Sequence, residues 1–285
     1  MFSQFEKLLH GLHLYGAAGI AAFGWGVCCL LDWPADPWLP LWFCAALLIY
    51  NADRLRHDPA DEFNVPLREA ATRRFRTASL TLLGCAVVFL LVWPILHRDW
   101  ITLALIALGA VVCLNYSIPI LGFRFKDLPL IKTLFAPSVV VMSVMALPWL
   151  HEPARHDNLT FALNAGRAWM FLLFNMTLCD LRDINGDQRT GIRSLPVLFG
   201  ARRTRLFLWG LFGGIELLTL ASWAAAGNRH RFTWGIIALV GPIYLGALLI
   251  AVRRPQSERF YEWWVEGMLF LPACACLLSA FHCQG

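Results

Sequence analysis

The feature that most constrains this chain is a succession of apolar runs, each long enough to cross hydrocarbon about 30 Å thick as a helix. Nine such runs occur: Leu8–Leu31, Pro34–Asn51, Ala78–Leu96, Trp100–Tyr116, Leu128–Leu150, Leu159–Cys179, Leu206–Ala226, Thr233–Val252 and Trp263–His282. Inside lipid every backbone N–H and C=O must find a partner within the protein, which a helix provides locally. The expected fold is therefore all-α, a polytopic membrane protein of nine transmembrane helices in a single domain, residues 1–285. The second run is interrupted by early prolines, so only Trp38–Asn51 is continuous. The first begins at Leu8 without a basic leader or a small-residue cleavage site, and reads as a retained helix.

Basic residues set the orientation. The amino terminus and the loops after even-numbered runs hold nineteen of the 24 Lys and Arg: Lys7, the arginines of 54–76, Arg124, Lys126, Lys132, those of 182–205, and Arg253, Arg254 and Arg259. The opposite side holds Arg98, Arg155, Arg167, Arg229 and Arg231. Such a bias places the amino terminus and the even loops in the cytoplasm. Seven tryptophans near the odd loops form the belt expected at the other interface. The net charge of +5 is thus an expression of topology, and no nucleic-acid partner is expected. The nine cysteines lie almost wholly within apolar runs and form no C-x-x-C pair, which argues for packing rather than zinc.

One stretch, "CDLRDINGDQRTGIRSLPVLFG" at residues 179–200, gathers charge at the end of an apolar run. Asp180, Asp183 and Asp187 are spaced i, i+3, i+7 and share one helix face. Carboxylates so close repel unless cations sit among them. Such oxygens suit Mg²⁺, which is commonly shared between one or two carboxylates and substrate phosphates. Arg182, Arg189 and Arg193 add guanidinium groups, which grip phosphate oxygens in pairs. The alternative is a solvated helix end, which has no need of stacked carboxylates.

A second acidic cluster, "IYNADRLRHDPADEFN" at residues 49–64, follows the second run on the same expected face of the membrane. Asp53, Asp58 and Asp61 are candidate metal ligands here, with Asn51 and Arg54 as candidate substrate contacts. Asp58 before Pro59 equally suits a helix N-cap, with Pro at the first helical position. Both readings stand on sequence alone.

These motifs carry a resemblance. Asp180, Asp183 and Asp187, together with Gly186, Gly191, Leu195, Pro196 and Gly200, resemble the second aspartate motif of the UbiA superfamily of intramembrane prenyltransferases. "LNYSIPILGFRFKDLPLIK" at 114–132 is similar to that family's loop after the fourth helix. The family's first motif is N-D-x-x-D-x-x-x-D. Asn51 matches it, but Ala52, Leu55 and Pro59 stand where its three aspartates would be.

The resemblance implies a central cavity open to the cytoplasm and an Mg²⁺-dependent transfer of an isoprenoid group. The donor would be an allylic prenyl diphosphate, and the acceptor lipophilic or aromatic, such as a quinone precursor. Membrane lipid is the surrounding partner, and the bacterial inner membrane the implied location. Asp180 and Asp183 would be catalytic. Arg124, Lys126, Lys132, Arg182, Arg189 and Arg193 would neutralise the leaving diphosphate. Tyr50, Tyr116 and Phe174 are candidates to face an allylic cation. Two other readings remain: a cyclase of the same superfamily, needing no acceptor, and a transporter or lipid-binding protein. Glu216 and Glu266 are ionisable groups within runs, which default to functional roles, and His10 and His13 are expected at the interface.

Overall fold

The computed structural model describes residues 4–55, 59–117, 122–151 and 158–283, without the side chains of 52–55, 59, 117, 228, 229, 282 and 283. Among the described residues the chain is helical throughout, with no strand. Helix α1 (Gln4–Gly11) and α2 (Leu14–Leu30) meet at a 60° bend, where His13 takes a left-handed conformation at φ 55. Then follow α3 (Leu39–Leu55), two short helices α4 (Pro59–Asn64) and α5 (Pro66–Arg74), and the apolar α6 (Arg76–Leu96) and α7 (Trp100–Ser117). The second half comprises α8 (Ile131–His151), α9 (Asn158–Thr190), α10 (Leu195–Ala225) and α11 (Asn228–Ala251). The last stretch is composite: α12 (Glu258–Phe260), a π-helical turn over Tyr261–Val265, a 3₁₀ turn over Glu266–Phe270, and α13 (Leu271–Cys283).

Among the described residues five helical stretches are long and apolar enough to cross a membrane: α6, α8, α10, His230–Ala251 and Glu258–Phe281. The bent pair α1–α2 makes a sixth if taken as one span. The expected nine are thus met in part. Leu39–Asn51 and Trp100–Tyr116 are apolar but short, and the expected sixth run carries Asn164, Arg167 and Asn175 within its apolar sequence. Large apolar side chains such as Val88, Leu108, Met142, Leu217, Leu239 and Ile243 are exposed on the outer surface, as lipid-facing residues are. His10 and His13, expected at the interface, are buried instead. His10 packs edge-on to Trp263 at 4.9 Å, and His13 stacks on Tyr50 at 5.8 Å.

α2 and α9 form the middle of the core, where Phe23 stacks on Phe171 at 5.7 Å. The irregular last span is held by three side chains from other helices. A π turn shifts the hydrogen-bond ladder and leaves carbonyls unpaired. Tyr15 donates to the Trp263 carbonyl (3.3 Å), Tyr244 to that of Trp264 (2.7 Å) and Asn175 to that of Val265 (2.7 Å). The Asn175 bond brings the last span alongside α9 one turn before its aspartates.

Candidate active site

The aspartates occupy the last three turns of α9, beyond the apolar part of that helix. The helix ends at Thr190 because Gly191 adopts φ 75, and Ile192 then donates back to the Asp187 carbonyl at 2.9 Å. This turn carries the chain to the Arg193 carbonyl, which accepts from the Leu130 N–H at 3.0 Å. The start of α8 is thereby fixed beside the end of α9.

That docking delivers Lys132. Its ammonium lies 2.6 and 2.7 Å from the two carboxylate oxygens of Asp187, 3.8 Å from Asp180 and 3.7 Å from Asp183. One cation therefore serves three acids drawn from three successive turns. The neighbouring Thr133 hydroxyl donates to Asp180 and accepts from the Leu195 N–H at 3.2 Å. Asp183 is gripped from the other side by Arg182, with Nε at 2.7 Å and a second contact at 3.3 Å. The Arg182 guanidinium in turn covers the Tyr261 ring, 5.2 Å from its centroid.

The surroundings divide the acids electrostatically. Burial pushes Asp180 up to about 6, against the pull of Lys132 and Thr133. Asp183 feels the same burial, but Arg182 and then Lys132 outweigh it and hold the group down at about 2. Burial also raises Asp187 despite its contact with Lys132.

A short helix closes over the cluster. Asn64, at the end of α4, accepts from the Gly186 N–H at 3.0 Å. A side chain at Gly186 would collide with the Asn64 amide, so glycine is required for this approach. Arg189 lies over the Phe63 ring at 4.4 Å, a second clasp between α4 and α9.

The other candidates are placed variously. Asp58 lies outside the described residues, as do the side chains of Asp53 and Arg54. Asp61 sits in the first turn of α4, which begins at Pro59. Asn51 is buried, and its amide donates to the carbonyls of Leu12 (3.3 Å) and Leu47 (2.9 Å), tying α3 to α1–α2. Arg124 forms a two-pronged pair with Asp127 at 2.7 and 2.8 Å. Lys126 is buried in a 3₁₀ turn, and Arg193 is exposed. Tyr116 stacks on Phe135 at 4.6 Å, and Phe174 is fully buried in the core, away from any open face.

Several residues at this end of the bundle carry no pattern that singles them out. Thr133 is one and Asn64 another. Arg68 on α5 and Glu262 in the π turn are a third group, with Glu262 buried 3.9 Å from both Arg68 and His10. Arg68 also reaches Glu266 at 3.4 Å. Among the described residues no three His, Cys, Asp or Glu side chains form a ready cage for a metal ion. Lys132 occupies the space that the three aspartates share.

A sequence model of the UbiA prenyltransferase family matches residues 22–271. Digeranylgeranylglyceryl phosphate synthase of Natronomonas pharaonis is 23% identical over 224 residues, covering 75% of this chain and 72% of that protein. Somaliensene A/B synthase of Streptomyces somaliensis is 35% identical over 98 residues, covering 31% and 32%. Among solved structures, a homologue from Aeropyrum pernix K1 in its apo form superposes with a TM-score of 0.64 at 15% identity, covering 94% of this chain and 98% of that one. A homologue from Archaeoglobus fulgidus bound to DMAPP and Mg²⁺ gives 0.62 at 14% identity, covering 97% and 99%. At such identities the structural likeness establishes the fold alone.

Proposed function

The chain belongs to the UbiA prenyltransferase family, a family of prenyl-group transferases, and from that premise we propose that it ionises an allylic prenyl diphosphate at the Asp180–Asp183–Asp187 cluster. The prenyl group then passes to a lipophilic or aromatic acceptor. The observation that carries this reading is the convergence of three carboxylates on one face of α9 upon a single ammonium, with Arg182 alongside.

The donor set fits Mg²⁺. Three carboxylates against Lys132 and Arg182 leave one net negative charge, and all the donors are hard oxygens. Bound there, Mg²⁺ would supply charge neutralisation to the leaving diphosphate. Asp180 and Asp183 are its proposed holders, and Asp187 anchors Lys132. Asp53, Asp58 and Asp61 remain candidates for a second ion. Arg182, Arg189, Lys132, Arg124, Lys126 and Arg193 are the cations available to diphosphate oxygens, with Asn51, Arg54 and Tyr116 as further proposed substrate contacts.

The chemistry of the residues follows. As the C–O bond of the donor breaks, its electron pair leaves on the diphosphate, and nearby cations stabilise the charge that develops there. Arg182 is already oriented by Asp183 and by the Tyr261 ring, so little reorganisation is required of it. Thr133 holds Asp180 in a fixed direction. The acceptor's nucleophilic atom takes the allylic carbon and releases a proton. The site opens to the cytoplasm in this reading, with the isoprenoid tail between helices and reachable from lipid. The amino terminus is cytoplasmic, and the bacterial inner membrane is the proposed location. The whole chain acts as one domain.

A second reading is cyclisation within the donor, without an acceptor. It is favoured by Ala52, Leu55 and Pro59, which stand where the first motif's three aspartates would be. Purified protein supplied with geranyl, farnesyl or geranylgeranyl diphosphate, with and without phenolic acceptors, separates the two. Transfer predicts diphosphate release that depends on acceptor. Replacing Asp180 and Asp183 together with Ala is expected to abolish release while the protein still inserts and folds. Undiminished release by that double variant would overturn the assignment of the site.

A further inference from the structure

Thirteen residues before Asp180 on α9, Arg167 presents a separate anomaly. It is buried, with 2% of its surface exposed. Among the described residues none of its nitrogens has a hydrogen-bond or ion-pair partner, and its Nε is sealed from solvent. The Trp234 ring lies 4.7 Å from the guanidinium carbon. A buried guanidinium left without acceptors costs several kcal/mol, so something outside the chain's own side chains is expected to meet it.

The guanidinium borders a cavity between α9, α10, α11 and α13. Its polar wall consists of Arg167, Glu216, Thr219 and Cys274, and the remainder is apolar. Glu216 likewise has no ion-pair partner within 4.0 Å among the described residues, and its carboxylate stands over Gly241. Both charged side chains line this one cavity, yet no ion pair within 4.0 Å joins them. Val240 and Leu278 line the cavity and are also exposed on the apolar outer surface, so it opens sideways towards lipid. Along α9 the thirteen-residue offset from Asp180 amounts to about 20 Å, at about 1.5 Å per residue. The cavity is therefore a different place from the aspartate cluster.

We infer that this cavity binds a neutral, hydroxyl-bearing lipophile, an alcohol or phenol with an apolar chain, whose oxygen bridges Arg167 and Glu216. A hydroxyl accepts from the guanidinium and donates to the carboxylate through one atom, which gives each group a partner. Neutrality follows from charge. Arg167 and Glu216 already sum to zero, so a carboxylate or amine ligand would leave an unbalanced charge in a low-dielectric setting. The apolar wall and the lateral opening receive the chain from the bilayer. This site stands independently of the diphosphate chemistry.

The test is photolabelling of the purified full chain in detergent with a diazirine-bearing long-chain primary alcohol, read as adducts on peptides covering 236–245 and 271–278. Saturable labelling is expected, displaced by hexadecanol but not by its methyl ether or by hexadecanoic acid. The Arg167→Leu, Glu216→Leu double variant keeps the net charge and removes both hydrogen bonds. It should require roughly tenfold or more alcohol for equal labelling, as expected for loss of charge-assisted hydrogen bonds. Gly241→Val narrows the cavity beside the Glu216 carboxylate while keeping both charged side chains, and should abolish labelling in protein that remains folded. Equal displacement by the methyl ether, preference for the acid, or labelling unchanged in both variants would overturn the inference. So would the absence of any saturable labelling, which would leave the cavity to water alone.

Discussion

Lys132→Met tests the idea that the aspartate cluster is built to hold a cation. The ammonium makes contacts of 2.6 Å with Asp187 and of 3.8 and 3.7 Å with Asp180 and Asp183, at only 19% side-chain exposure. At an effective dielectric of about 20, each such contact is worth roughly 4–6 kcal/mol before the ammonium's own desolvation is subtracted. Removing one partner from a buried ion pair typically costs about 3–5 kcal/mol, because the remaining charge is stranded. Asp187 and Asp180 both lose this cation here, while Asp183 keeps Arg182, so a loss within that range is expected in metal-free protein. Methionine keeps the length of the side chain, which confines the loss to the charge. Thermal unfolding in detergent, followed by a thiol-reactive dye that detects newly exposed cysteines, should give a much lower midpoint for Lys132→Met in EDTA. Saturating Mg²⁺ should then raise that midpoint more than it raises the wild type's. An ion at about 100 times its dissociation constant contributes about 2.7 kcal/mol, and removing the competing ammonium makes binding tighter. If Mg²⁺ stabilises the variant no more than the wild type, the cluster is an ion-pair network rather than a metal site.

Three further outcomes follow from the same geometry. Thr133→Val is nearly isosteric but strips a hydrogen bond from Asp180 and from the Leu195 N–H; a loss of about 1.5–3 kcal/mol is expected, seen as a lower unfolding midpoint, with donor affinity weakened in direct binding of a prenyl diphosphate. Gly186→Ala places a methyl group against the Asn64 amide, so α4 must move at a cost of about 1–3 kcal/mol; faster proteolysis near residue 64 should report it, whereas Gly210→Ala, with open space around it, should not. In metal-free protein Asp183, held at about 2 in the folded state against about 3.9 unfolded, contributes stability that is fully present above about pH 4 and is lost as pH falls towards 2; the stability gap between wild type and Asp183→Asn should narrow by about 2–3 kcal/mol over that window, and a gap that widens on acidification would contradict the pairing with Arg182 and Lys132.

The parts of this architecture legible in sequence are those written in short periods. The spacing of Asp180, Asp183 and Asp187 requires only that the segment be helical, and α9 continues through all three. The apolar runs are likewise local, and five or six of them stand as long apolar helices among the described residues. A run such as Leu159–Cys179 is apolar in its neighbours while carrying Arg167 and Asn175, whose roles depend on other helices. The first acidic cluster offered two competing local readings, and nothing in its own period chooses between a cap and a ligand.

What sequence could not supply is pairing over distance. Lys132 was visible as one of several loop cations, but its selection over Arg124 depends on the Leu130–Arg193 backbone bond, which brings α8 to the end of α9. Arg124 is instead neutralised three residues away by Asp127. Thr133 acquires its role solely because α8 starts where it does. The same holds for Asn175, an unremarked amide in sequence that stabilises the broken last span through the Val265 carbonyl. That bond links the order of the last span to the helix bearing the aspartates. Arg182, resting on Tyr261 of the same irregular turn, extends the link to Asp183. The geometry of the acidic face is thus set by a defect in another helix, and a defect of that kind leaves no period to read.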